Sequence, residues 1–388
     1  MGGLELGDAR RTRRLIRLVE DLAAHPLGSI PVASGGWAET KAAYRLLHNP
    51  ALEWREMLEV HTQHTRERLV GQPVVLWIQD STELAFSTPP GIAGLGRLSE
   101  AAQHGMSVHP TLVVTPQGMT VGVVDAWRWA RAPQGKATVT ERVRWREGDG
   151  IVADLAAVTP TTRLVDGADR EGDIRALRAY AARRGTLADW LIRARHERKT
   201  AVSDKRWAGV GAREPLGEIE CTLPAAPGRP SRRVRQTLYL QRGTLPARKG
   251  APPVSVTALL AREEHPPVGE KALEWRLLTN RPAATLEDAV ELIEWYRRRW
   301  LVEIFFRILK SGCRVEALQL GTVARLERAL VISLIIAWRI LQLVTWGREC
   351  PDLPCEVGFD SEAWQAAWIV AKRGPPPETP PTLNEMVR

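Results

Sequence analysis

Tyr296, Arg299, Glu303, Arg307 and Lys310 follow one another at steps of 3, 4, 4 and 3 residues. On a continuous α-helix, at about 100° per residue, they share an arc of about 80°. Leu301, Ile304, Phe305, Ile308 and Leu309 fall largely on the other side. One carboxylate thus stands in a column of cations and a phenol. Carboxylates hold hard divalent metals, and cations hold phosphates. The chemistry this combination suits is cleavage or transfer of a phosphodiester.

Such chemistry needs further carboxylates. Asp80 ends the apolar run Val74-Val-Leu-Trp-Ile78, and Asp169 lies in the loop after Arg163-Leu-Val-Asp166. With Glu303 they make three carboxylates from distant parts of the chain, enough to hold two Mg²⁺ or Mn²⁺ ions. Asp125, Asp166 and Asp173 are rivals, and an aspartate at a strand end is often only a turn former or helix cap. The residues by themselves leave that choice open. Among the histidines, His61 and His64 are one turn apart without a third ligand, which reads as a surface pair. His196 lies among Arg193, Arg195, Arg198 and Lys199, a cluster suited to DNA backbone.

These residues must be positioned by a mixed core. Residues 8–70 read as helices: Leu15, Leu18, Val19 and Leu22 keep helical spacing beside Arg10, Arg11, Arg13, Arg14 and Arg17. Further helices are predicted over 38–47, ending at His48-Asn49-Pro50, and over 53–69. Strands are predicted at 74–78, 111–114, 121–124 and 163–166, with a loop over 86–107 and helices over 150–158 and 173–184. Alternating strands and helices indicate an α/β core. Residues 200–280 change texture. Strands at 219–223, 234–241, 254–260 and 275–279 are joined by basic Pro/Gly-rich connections, so this part reads as a β-rich insertion. Thr285 with Asp288 predicts a helix start before the polar stripe, and Gly312 its end. Residues 326–344 form an apolar helix, and the Pro-rich last 20 residues read as a linker or tail.

Bulk properties agree with a nucleic-acid partner. The 388 residues carry a net charge of +9, and 44% are hydrophobic. A basic excess favours an anionic partner. Cys221, Cys313, Cys350 and Cys355 fit no zinc spacing and suit a reducing compartment. The apolar run Leu330–Trp338 is short for a membrane span and there is no signal-peptide core, so a cytoplasmic protein without membrane contact is expected.

The motifs resemble one family. Tyr296-x2-Arg299-x3-Glu303-x6-Lys310 is similar to the signature of DDE-type insertion-sequence transposases, in the insertion-sequence-four, transposon-five-like subgroup. Asp169-Arg-Glu-Gly-Asp-Ile174 resembles the segment around that family's second aspartate, and Asp80-Ser-Thr82 the segment at its first. Leu6-Gly-Asp-Ala-Arg-Arg-Thr-Arg-Arg14, the segment from Ala43-Tyr-Arg45 to Asn49-Pro50, and Arg193-Ala-Arg-His-Glu-Arg-Lys199 also match. The likeness runs from residue 4 to about 345.

The resemblance implies an RNase H-like catalytic core interrupted by a β-rich insertion, an N-terminal helical DNA-binding domain and a helical C-terminus. The expected division is 1–70 for DNA binding, 71–199 and 283–325 for the core, 200–282 for the insertion and 326–388 for a partial dimerisation region. Asp80, Asp169 and Glu303 are implied to be the catalytic residues and ligands of a two-metal Mg²⁺ site, with Mn²⁺ as a substitute. Tyr296, Arg299, Arg307, Lys310, Arg193, Arg198 and Lys199 are implied DNA contacts. Trp275 is implied to receive a flipped base, with Trp300 near the same pocket. For Trp275 a sheet-core role stays open.

The implied reaction is cut-and-paste transposition: nicking, hairpin formation and opening, and strand transfer. The partners would be double-stranded transposon ends and target DNA, bound by a homodimer at the bacterial nucleoid. Relatives are expected to continue beyond the Pro-rich stretch, so the chain reads as shortened and its pairing as weakened. The alternative reading is a truncated, catalytically ineffective DNA-binding relic or an inhibitor of transposition.

Overall fold

The computed structural model describes residues 8–86, 92–99, 103–130, 161–168, 188–194, 206–223, 230–245 and 253–387, with positions 159 and 225. The helices expected over 150–158 and 173–184 lie outside the described residues. The chain forms two compact units: Met1–Arg68 with Ser81–Thr138 and Leu301–Arg388, and Leu69–Asp80 with Val139–Trp300.

The first unit opens with α1 (Ala9–Ala24), α2 (Ile30–Ser34), α3 (Trp37–His48) and α4 (Trp54–Leu69). Asp8 caps α1 by accepting the Arg10 N–H at 2.8 Å. Leu15, Leu18 and Val19 form the buried side of α1, and Arg10, Arg13, Arg14 and Arg17 stay exposed. This separation follows from the helical period of the apolar residues. The short α2 was not legible in the sequence.

The β-layer of this unit contains β2 (Thr82–Ala85), β3 (Gly96–Arg97), β4 (His104–Val114) and β5 (Thr120–Trp129). β4 pairs antiparallel with β2, β3 and β5. The expected loop over 86–107 therefore holds a short strand and the start of a long one. Gly105 permits the close pairing of β4 with β2: a Cβ there would sit 1.9 Å from the Leu84 carbonyl oxygen.

Later parts of the unit are α7 (Leu301–Arg307), α8 (Val323–Glu349), α9 (Ser361–Lys372) and α10 (Leu383–Val387). α8 has the length and composition of a membrane span, yet 67% of its most apolar window is buried within the protein. It is a core helix, and two of its buried polar side chains reach backbone carbonyls. Arg328 donates to the Leu52 and Leu47 carbonyls at 2.6 and 2.8 Å, and Gln342 donates to the Thr120 carbonyl. The Pro-rich end is not a free tail. Leu383 is fully buried, its N–H bonds to the Leu353 carbonyl at 2.8 Å, and α10 packs on α8.

His61 also departs from expectation. It is buried, it accepts the Val123 N–H on Nε2 at 3.1 Å, and it meets the Trp338 ring edge-on at 4.6 Å. His61 and His64 are not a surface pair: only His64 is solvated, beside Glu67 at 3.0 Å. The apolar company of α8 could not be read from the spacing on α4.

The second unit is built on a sheet of order β1-β6-β7-β11-β10-β9-β8. These are β1 (Val74–Gln79), β6 (Arg163–Ala168), β7 (Ala188–Arg193), β8 (Gly217–Leu223), β9 (Arg232–Leu245), β10 (Val254–Arg262) and β11 (Glu274–Thr279). β1, β6 and β7 are parallel, and every later pairing is antiparallel. The expected α/β core is present. The four later strands continue the same sheet, because β11 pairs with β7. Trp190, Ile192, Tyr239, Val256, Leu260 and Leu278 share one core with Trp207 and Val210 of α5 (Arg206–Gly211).

Candidate active site

β1 is apolar and buried up to Gln79, as a strand covered on both faces must be. Asp80 is its next residue. The Gln79 amide donates to Asp166 Oδ1 at 2.9 Å; their exposures are 0% and 6%. The rival Asp166 is thus buried between parallel strands, where this bond locks β1 to β6. Asp166 pairs across the sheet with Trp77, two residues before Gln79. Asp125, another rival, accepts the Ala126 N–H at 2.9 Å. Asp169, Asp173, His196, Arg198 and Lys199 lie outside the described residues.

The polar stripe starts on α6 (Leu286–Arg298). Thr285 accepts the Asp288 N–H, and Asp288 accepts those of Thr285 and Ala284. These bonds hold the Asp288 carboxyl below its usual range. Ala289, Leu292, Ile293 and Tyr296 form the buried stripe of α6. Tyr296 is only 7% exposed, and its ring meets Trp275 edge-on at 6.3 Å. Trp275, on β11 opposite Ala261, is half-buried. Arg193, at the end of β7, reaches the Glu274 carbonyl at 3.5 Å.

Arg299 closes α6 in a tightened turn: its N–H bonds to the Tyr296 carbonyl three residues back, and the Trp300 N–H bonds to that of Arg297. The guanidinium lies 6.0 Å from the Tyr296 ring centroid. Nη1 donates to Asp80 Oδ2 at 2.7 Å, with side-chain exposures of 10% for Arg299 and 26% for Asp80. The stripe arginine therefore pairs with the first candidate carboxylate.

The single helix expected over 294–310 is three pieces. α6 gives way to the 299–300 turn, α7 carries Glu303 and Arg307, and Ile308–Gly312 is a π-turn closed by the Cys313 N–H on the Ile308 carbonyl at 2.8 Å. No Gly or Pro marks the first break; a three-residue hydrogen-bond step makes it. The uniform 100° step behind the five-residue arc therefore does not hold along the whole stretch. Glu303 and Lys310 are half-buried, Arg307 is exposed and Trp300 is 57% exposed. Tyr296 and Arg299 belong to the second unit, and Glu303, Arg307 and Lys310 to the first.

Among the described residues no three His, Cys, Asp or Glu side chains form a metal-binding group. The donor chemistry still fits a hard cation. Asp80 offers a partly exposed carboxylate that already holds a guanidinium at 2.7 Å. In the neighbouring turn Ser81 Oγ and His109 Nδ1 lie 2.9 Å apart, a contact that nothing in the sequence spacing announced.

Comparison with protein families agrees with the order of these parts. The model described as Transposase DNA-binding matches residues 1–52, and Transposase DDE domain matches residues 146–339, half of the chain. The chain belongs to the DDE transposases. The model described as Transposase Tn5 dimerisation domain matches residues 335–388, which covers the end of α8, α9 and α10 of this transposase. The exposed arginines of α1 fall within the DNA-binding match. Among solved structures, a piggyBac transposase synaptic complex with hairpin DNA, determined by cryo-EM, is 11% identical, with a TM-score of 0.36 over 72% of this chain. This chain spans about half the length of that one, 48%.

Proposed function

We propose that this DDE transposase excises and inserts a DNA element by metal-dependent cut-and-paste chemistry, as a homodimer on paired transposon ends in the cytoplasm. Water cuts one strand at the transposon end. The freed 3′-OH attacks the opposite strand, closing a hairpin and releasing flanking DNA. A second hydrolysis opens the hairpin, and the 3′-OH then joins target DNA.

Asp80, Asp169 and Glu303 would hold Mg²⁺ or Mn²⁺, which when bound makes water a stronger nucleophile and offsets charge on the leaving oxygen. One count carries this reading. In the sequence Asp80 follows Ile78 by two residues and Asp169 follows Gly167 by two, and Ile78 pairs with Gly167 in the parallel β1/β6 register. Two carboxylates at the same sequence distance from one registered pair suit one shared cation.

Arg307 and Lys310 would bind backbone phosphate, with Arg193, Arg198 and Lys199 adding a sequence-independent share of affinity. Arg299 and Tyr296 would act beside the cut. Forming a hairpin unstacks a base at a cost of about a few kcal/mol. Stacking on Trp275 or Trp300 would return about 1–3 kcal/mol.

The test uses supercoiled plasmid carrying transposon ends, with Mg²⁺ or Mn²⁺. Nicking should appear with the native chain and vanish in Asp80→Asn, Asp169→Asn and Glu303→Gln. Binding of ends without nicking in either metal would instead make the chain a DNA-binding inhibitor or relic.

A further inference from the structure

Arg299 has more to do in this geometry than meet DNA. Its side chain is 10% exposed and its guanidinium donates to Asp80 Oδ2 at 2.7 Å, whereas the Asp80 side chain keeps 26% exposure. Arginine never loses its charge near neutral pH, and its planar fork suits a carboxylate. A divalent cation and this guanidinium would therefore compete for the same oxygen atoms.

We propose that Arg299 is a placeholder cation: in the DNA-free protein it occupies Asp80 and weakens metal binding there, and a backbone phosphate draws it away. The inference rests on the reading of Asp80 as a metal ligand. It assigns Arg299 a timing role, making metal loading depend on DNA.

Three features support it. The arginine ends α6 in the tightened turn at 299–300, where the backbone leaves its regular ladder. Nothing there needs a helix to unwind for the side chain to swing. The Tyr296 ring already lies 6.0 Å from the guanidinium, a favourable surface that does not depend on the carboxylate. Phosphate offers Arg299 the same bidentate hydrogen bonding that a carboxylate does, so the exchange conserves bond type. An unprotected carboxylate cluster would bind metal at any time and expose cellular DNA to stray cutting. A guanidinium that yields only to phosphate removes that hazard.

The experiment measures Mn²⁺ binding to the whole chain by calorimetry and by the spin-resonance signal of free Mn²⁺. Without DNA, Arg299→Gln should bind Mn²⁺ about tenfold tighter than the native chain, which equals about 1.4 kcal/mol. Arg299→Lys keeps the charge and should stay close to native. A linear DNA duplex should tighten Mn²⁺ binding to the native chain by a similar factor and change Arg299→Gln little. That second comparison reads the native chain directly, so it holds even where Arg299→Gln folds poorly.

Equal affinity of the native chain and Arg299→Gln, with Asp80→Asn weakening both, would overturn the placeholder while leaving the metal site intact. No effect of Asp80→Asn in either background would remove the metal-ligand reading itself. A native chain whose Mn²⁺ affinity ignores DNA would overturn the coupling.

Discussion

His61 should make the first unit acid-sensitive. It is buried beneath Trp338, and its Nε2 accepts the Val123 N–H, which requires a neutral ring. Burial, with the charge of Arg68 nearby, pushes its pKa from the ordinary 6.5 down to about 3. The sign follows. Below 6.5 the unfolded chain takes up a proton that the folded chain refuses until about 3, so acid favours unfolding across that window. Stability from this group is complete above 6.5 and falls by about 1.4 kcal/mol per pH unit below it.

Between about pH 7.5 and pH 5 the loss is about 2 kcal/mol. The assay is urea unfolding at both pH values for the native chain and His61→Gln. Glutamine can accept the Val123 N–H through Oε1 without titrating. The difference between the two chains should close by about 2 kcal/mol on acidification, even if His61→Gln is weaker at pH 7.5. Parallel pH profiles would show that His61 protonates freely in the folded protein, and the buried neutral ring would be refuted.

Arg328 is the second test of the same unit. Arg328→Met keeps the buried stem but strands the Leu47 and Leu52 carbonyls, which should cost about 3 kcal/mol. Arg325→Ala, which removes an exposed contact with His48, should cost under about 0.5 kcal/mol in the same thermal melts. Trp275→Ala should impair hairpin closure more than first-strand nicking, read on gels of labelled ends. Equal loss at both steps would mean that Trp275 acts only by supporting Tyr296, its edge-on neighbour at 6.3 Å.

Most strands were legible because short apolar and β-branched runs sit between Pro, Gly and charged turns, but β2, β3 and β7 were not foreseen. The Thr285/Asp288 start of α6 was legible because a capping box is a local code. The 299–300 turn was not, since Arg-Arg-Arg-Trp is a good helical sequence and only backbone bonding breaks it. The docked C-terminus was hidden for a related reason. Proline says where a helix stops, but burial of Leu383 on α8 is tertiary. At the site, residue types and spacing offered Asp80, among rivals, and Arg299 as candidates. That the two would hold each other depends on β1 meeting the end of α6, more than two hundred residues later.

The run of antiparallel strands beyond β7 carries a consequence for how such a chain can change. Trp275 sits on β11, the strand hydrogen-bonded directly to β7, whereas β10, β9 and β8 lie progressively farther out. Strands added outward leave the inner pairing untouched. The connections at the outer edge can therefore lengthen, shorten or change charge at little thermodynamic cost. That rim can change while Trp275, beside Tyr296, keeps its pairing with β10.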